Sequence, residues 1–140
     1  MKTFTLDEAN SMLPVLGPAV EKIMQLNEAL KLISHDINSL LDLWGEELYD
    51  AGHFDNSYYT RLMKIYDATL ENLQEEAGKV QGLGCLLKDP EKGLVDFYHE
   101  QSGQTVFLCW KYGEQTIRHW HSLEAGFNAR QPVGITLKKR

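Results

Sequence analysis

Ile23, Leu26, Leu30, Ile33, Ile37, Leu40 and Trp44 follow one another at intervals of three and four residues, one apolar seam held over three heptads. A repeat of that kind keeps one helical face apolar along its whole length and requires a partner lying beside it. Gly45 and the run Tyr49-Asp50-Ala51-Gly52-His53-Phe54-Asp55-Asn56 end the seam. A second seam then passes through Tyr59, Leu62, Tyr66, Thr69, Leu73, Ala77 and Val80, with Gly82 or Gly84 as its stop. Two long helices joined by a loop of about ten residues lie most simply antiparallel. Their seams are expected to be core and dimer surface, not a cofactor box. Ahead of them, Thr5-Leu6-Asp7-Glu8 has the capping-box pattern that starts a short helix, with Phe4 placed as a hydrophobic staple. Pro14 and Pro18 should interrupt it, giving a kink or a restart near Leu13-Pro14.

After Gly84 the period falls from 3.6 to two. Cys85 to Lys88 is a short apolar run, Asp89-Pro90-Glu91-Lys92-Gly93 a turn by composition, and Leu94 to His99 a second strand. Glu100 to Gln104 turns the chain into Thr105–Tyr112, rich in β-branched and aromatic residues, and Ile117 to His121 makes a fourth strand. Short turns between consecutive strands imply an antiparallel meander. The expectation is an α+β fold: a long antiparallel helical hairpin over 1–82, a small antiparallel sheet of three to four strands with an irregular wrapping loop over 83–132, and a tail over 133–140. The 140 residues form one domain on this reading, since 43% apolar residues suffice for one core.

Charge is unevenly divided. Residues 1–82 carry a net −8 and residues 83–140 a net +2, within an overall −6. The acidic helical half repels phosphate backbones, so no nucleic-acid partner is expected, and the second half is the better place for a small anion. Lys138-Lys139-Arg140 supplies more than that whole surplus and reads first as a solvated tail. Met1 to Asn10 is polar and acidic, unlike a signal peptide, and no apolar run nears the roughly 18 residues of a membrane span. A cytoplasmic chain follows by elimination. Cys85 and Cys109 sit in apolar runs and are expected to be buried thiols.

Alternation assigns faces but not neighbours. Val106, Leu108, Trp110 and Tyr112 share one face, opposite Thr105, Phe107, Cys109 and Lys111; Leu94, Asp96 and Tyr98 point together, as do Ile117, His119 and His121. Asp96, between Val95 and Phe97, needs a partner if buried. His119-Trp120-His121 with Glu124 invites a metal reading, and Gly113, separated from the pair by five residues, resembles the start of a cupin motif. Glu124 comes one residue too early, however, and cupins are all-β barrels, so neither a stoichiometric metal nor any cofactor is expected. A Cys109–His121 pair across adjacent strands requires that their faces agree, and it is discounted. Glu114 follows Gly113 in a tight turn where Asn or Asp would serve better, which suggests another purpose for it. No nucleophile elbow, P-loop, dinucleotide fingerprint or Cys-x-x-Cys is present.

Gly93-Leu94-Val95-Asp96-Phe97, Leu108-Cys109-Trp110 with Gly113-Glu114 and Ile117, then Trp120-His121, Gly126-Phe127, Arg130 and Pro132 resemble the bacterial domain-of-unknown-function family 2203. Phe4-Thr5-Leu6, Glu8-Ala9-Asn10 and Leu13-Pro14 are similar to that family's opening. The resemblance spans nearly the whole chain and implies no assigned activity. It points to polar positions at Asp96, Glu114, His121 and Arg130, and not to His119.

Two functional readings remain open. In one the chain is a non-enzymatic interaction or oligomerisation module, a homodimer through its hairpin, and the four polar residues form an internal network. In the other, Asp96, Glu114, His121 and Arg130 make a binding or catalytic site for a small anionic ligand or a metal, with Arg130 holding the anion.

Overall fold

The structure is a computed structural model that describes residues 2–133. Most of the expected tail, with Lys138-Lys139-Arg140, lies outside the described residues. Helix α1 (Leu6–Ser11) is followed by α2 (Leu13–Trp44), a 3-10 turn (Gly45–Tyr49) and α3 (Asn56–Gly82). Strands β1 (Leu86–Asp89), β2 (Leu94–Gln101), β3 (Gln104–Lys111), β4 (His119–His121) and β5 (Gln131–Pro132) complete the chain, with a 3-10 turn at Phe127–Ala129 before β5. This is the α+β order expected. Among the described residues no helix is long and apolar enough to cross a membrane.

The capping box forms as expected: Thr5 N donates to Glu8 Oε1 at 2.7 Å and Glu8 N to Thr5 Oγ1 at 3.0 Å. The chain restarts at Leu13 after the break at Met12, with Pro14 in the first turn. Pro18, by contrast, does not interrupt; it lies inside α2. Its fixed φ suits a helix, and the missing hydrogen bond to the Pro14 carbonyl, with the ring's crowding of that carbonyl, is outweighed by the rest of the helix. Gly45, at φ +59°, ends α2 in the left-handed conformation that closes many helices. Lys22 meets Glu76 at one end of α2 and α3, and Trp44 Nε1 donates to Asp55 at the other, so the hairpin is antiparallel.

Contacts divide the chain into two compact units. Gln25–Glu75 forms one, and the chain up to Met24 together with the chain from Glu76 onward forms the other. In the Gln25–Glu75 unit only Ile37, Leu48 and Leu62 are buried apolar residues. The remaining seam positions, including Leu30, Ile33, Leu40, Tyr66 and Leu73, are half-buried.

The second unit holds the sheet, a meander in the order β1-β2-β3-β4-β5 with antiparallel pairing throughout. It has five strands where three to four were expected. The additional one comes from the segment expected to be an irregular loop: Gln131 and Pro132 pair with Trp120 and His119. The fourth strand also begins later than expected, because Ile117 gives its amide to Asn10 Oδ1 at 2.7 Å instead of to β3. Ser102 and Gly103, at φ +53° and +79°, make the tight β2–β3 turn.

Register fixes the two faces. Val95 lies opposite Trp110 and Phe97 opposite Leu108 on the face that meets the helices, where Phe4 sits edge-on to Phe97 at 5.3 Å. On the other face Asp96 lies opposite Cys109, Tyr98 opposite Phe107, and Phe107 opposite His121. Both faces of the central strands are buried. The second covering is the C-terminal segment, whose Ala125, Gly126 and Phe127 line a cavity together with Asp96, Cys109 and His121.

Gly93 allows the close approach of β2 to α2. At φ +70°, a Cβ there would stand 2.7 Å from Tyr112 Cβ, 2.8 Å from Met24 Sδ and 3.3 Å from Val20 Cγ1. Gly103 shares the positive φ but faces open space. Gly93→Ala should therefore cost on the order of 3 kcal/mol from strain and overpacking together, and Gly103→Ala only about 1 kcal/mol from strain. Urea denaturation of the two variants would check the difference.

Candidate functional site

Three adjacent strands bring Asp96, Cys109 and His121 together. One donor atom from each lies within 4.8 Å of the others, and all three residues are buried. Asp96 and His121 are each only 3% exposed, and His121 Nε2 stands 3.1 Å from Asp96 Oδ2. The other imidazole nitrogen, Nδ1, is 2.8 Å from the Ser122 carbonyl oxygen. A carbonyl only accepts, so Nδ1 carries a hydrogen. Nε2 then faces a carboxylate oxygen, and one proton must lie between the two atoms on either side. Burial raises the Asp96 carboxyl above its ordinary value, a rise that His121 opposes first and Lys88 and Cys109 further.

Cys109 stands beside this pair with its thiol pushed up to about 12, by burial and then by the Asp96 carboxylate, against the pull of Arg130. A thiol held so high is protonated at neutral pH and is not an attacking nucleophile as it stands. The cavity beside the three residues measures about 110 Å³ and is walled by Lys88, Leu94 and Phe127. The Lys88 ammonium rests 4.7 Å over the Phe107 ring.

Glu114 and Arg130 form a second pair. Arg130 Nη2 reaches Glu114 Oε2 at 2.7 Å and Nη1 reaches Oε1 at 3.1 Å, a bidentate contact, while Phe127 packs on the guanidinium at 4.1 Å. Burial works against the charged Glu114 carboxylate, but Arg130 and the Lys111 amide outweigh it and hold the group below the usual range. Glu114 does serve its turn, contrary to expectation. Oε1 accepts the Lys111 amide at 2.8 Å and the Glu114 carbonyl accepts Trp110 Nε1 at 2.9 Å. Asp, shorter by a methylene, is less suited to reach both Lys111 and Arg130.

The four residues singled out in the sequence thus resolve into two pairs, Asp96–His121 and Glu114–Arg130. Cys109 links them, with its sulfur 4.0 Å from Arg130 Nη1. His119 lies opposite Cys109 on β3, its buried Nδ1 without a partner among the described residues, and Glu124 is exposed. Sequence reasoning missed Cys109 as a member and Lys88 as a wall of the cavity. The period-two pattern placed Cys109 on a face; only the register sets it opposite Asp96. For Lys88 no signal existed.

Residues 2–133 match the family described as "Uncharacterized conserved protein (DUF2203)", and the chain belongs to that family. No curated protein and no solved structure matches the chain.

His121→Ala removes the partner of a buried carboxylate and should cost about 3–5 kcal/mol at pH 7. Without the imidazole, Asp96 is held still higher above its unfolded value of about 3.9. A raised folded value stabilises below the unfolded one, and that stabilisation is lost as pH rises through the folded value. The His121→Ala deficit should therefore be smaller at pH 5 than at pH 7 in urea denaturation. Asp96→Asn should lose only about 1 kcal/mol, because its amide can donate directly to Nε2. Arg130→Ala should speed hydrogen exchange of the amides between 122 and 132.

Proposed function

We propose that this member of the family works by association, its helical hairpin packing against a second copy, while the polar pairs of the strand block hold the C-terminal segment on the sheet. The scarcity of buried side chains between Gln25 and Glu75 carries this reading. Three buried apolar residues are a thin core for two paired helical segments, and Leu32, Leu43, Tyr58 and Ile65 are exposed besides. A second hairpin laid along the half-buried seams would complete a four-helix arrangement of the ordinary kind.

The polar residues support a structural part for themselves. Both amino groups of Arg130 are held by Glu114, so this guanidinium is not free to anchor an anion. Cys109, protonated at neutral pH, offers no ready nucleophile. The alternative of a small-ligand site draws on the cavity beside Asp96, where Lys88 is the nearer cation. Two buried free thiols suit a reducing compartment such as the cytoplasm. An acidic hairpin suits neither nucleic acid nor an anionic membrane.

Three basic and ten acidic side chains lie between Gln25 and Glu75, so two such hairpins repel one another at long range. Light scattering at micromolar concentration should give a mass near twice 16.0 kDa. The association should tighten as salt screens the repulsion, and Leu32→Glu with Leu43→Glu should abolish it. A monomeric wild-type chain would end this proposal, and an assembly that loosens with salt would overturn its apolar basis, since ion pairs between copies would then hold it.

A further inference from the structure

We propose that Asp96, Cys109 and His121 form a mononuclear site for a divalent ion of the zinc class, with a fourth coordination position opening into the adjoining cavity. The inference is independent of the association proposed above.

The donor set is one carboxylate, one thiol and one imidazole, brought together from β2, β3 and β4 with all donor atoms within 4.8 Å of one another. A tetrahedral zinc site with bonds of about 2.0–2.3 Å sets its ligand atoms roughly 3.2–3.8 Å apart. His121 and Asp96, at 3.1 Å, already stand at about that spacing. The sulfur closes the remainder by a small side-chain adjustment.

His121 is oriented as a ligand. Nδ1 donates to the Ser122 carbonyl, the outer bond that commonly fixes a metal-bound imidazole, and this turns the Nε2 lone pair towards Asp96. Two acceptors then confront each other across 3.1 Å, and either a proton or a metal cation resolves the conflict. Metal binding would release that shared proton and the thiol proton, leaving two anionic ligands to balance the divalent charge. Arg130 Nη1, 4.0 Å from the sulfur, favours the thiolate that results.

A sulfur and an imidazole among three ligands select against magnesium and calcium, which take oxygen, and suit zinc. Three protein ligands leave a position free, as in catalytic rather than structural zinc sites. The cavity of about 110 Å³ supplies space there, enough for about three waters or a small monodentate anion, with Lys88 on its wall. The metal readings of the sequence rested on His119, His121 and Glu124, or on His121 among Asp96, Glu114 and Arg130. Neither included Cys109, which the register of β3 supplies.

The full chain, treated with chelator and dialysed, should be titrated with cobalt(II) and then with zinc(II). One cobalt per chain is expected, with a thiolate-to-cobalt charge-transfer band in the near ultraviolet that zinc removes by displacement. Cys109→Ser should abolish the band, Cys85→Ser should keep it, and His121→Ala should weaken cobalt binding by at least tenfold. Cys109→Ser strands no charge and decides the matter should His121→Ala fail to fold. No uptake by the wild-type chain, uptake without the band, or a band unchanged in folded Cys109→Ser would overturn the proposal.

Discussion

Strands β2 and β3 are buried on both faces, and a sheet so placed needs two coverings. Phe4, just ahead of α1, and Val20 of α2 meet one face, where Val95, Phe97, Leu108 and Trp110 are apolar throughout. The other face carries Asp96, Cys109 and His121, and the segment after β4 closes over it. A polar group under such a cover is costly unless paired, by about 1–3 kcal/mol even when uncharged. The pairing of Asp96 with His121 and of Glu114 with Arg130 follows from that cost. Asp96–His121 ties β2 to β4, and Glu114–Arg130 ties the turn after β3 to the residue before β5, so the pairs also fix where the last segment lies.

Closing the second face creates the chemistry as well. Burial lifts the carboxyl of Asp96 and the thiol of Cys109 and leaves a shared proton between carboxylate and imidazole. The same groups exposed on an open sheet would titrate separately and hold nothing. A cavity remains because Ala125 and Gly126 are too small to fill the space under the loop. In the Gln25–Glu75 unit the situation is reversed: long apolar seams are present and few residues are buried, so the unmet demand is for surface rather than for hydrogen bonds.

Much of this was legible in the residues. The three-and-four spacing from Ile23 to Trp44 and from Tyr59 to Val80 marks both helices, and no seam residue is exposed. Thr5 and Glu8 form their capping box, and Gly45 ends the first long helix. These are local signals, decided within a turn or two of backbone. β5 was not legible, because Gln131-Pro132 has neither strand length nor alternation and pairs only where β4 offers an open edge.

At the site the division has the same cause. Sequence alone determined which residues are polar inside apolar strands, hence that Asp96 would need a partner and that Cys109, His119 and His121 would fall on assignable faces. Period two says nothing of register, and a slip of one residue would have carried Cys109 to the opposite face from Asp96. Only the tertiary structure set Asp96 opposite Cys109, brought His121 to both, and gave Arg130 to Glu114. Those choices belong to contacts between residues distant in the chain, decided by what must be buried together.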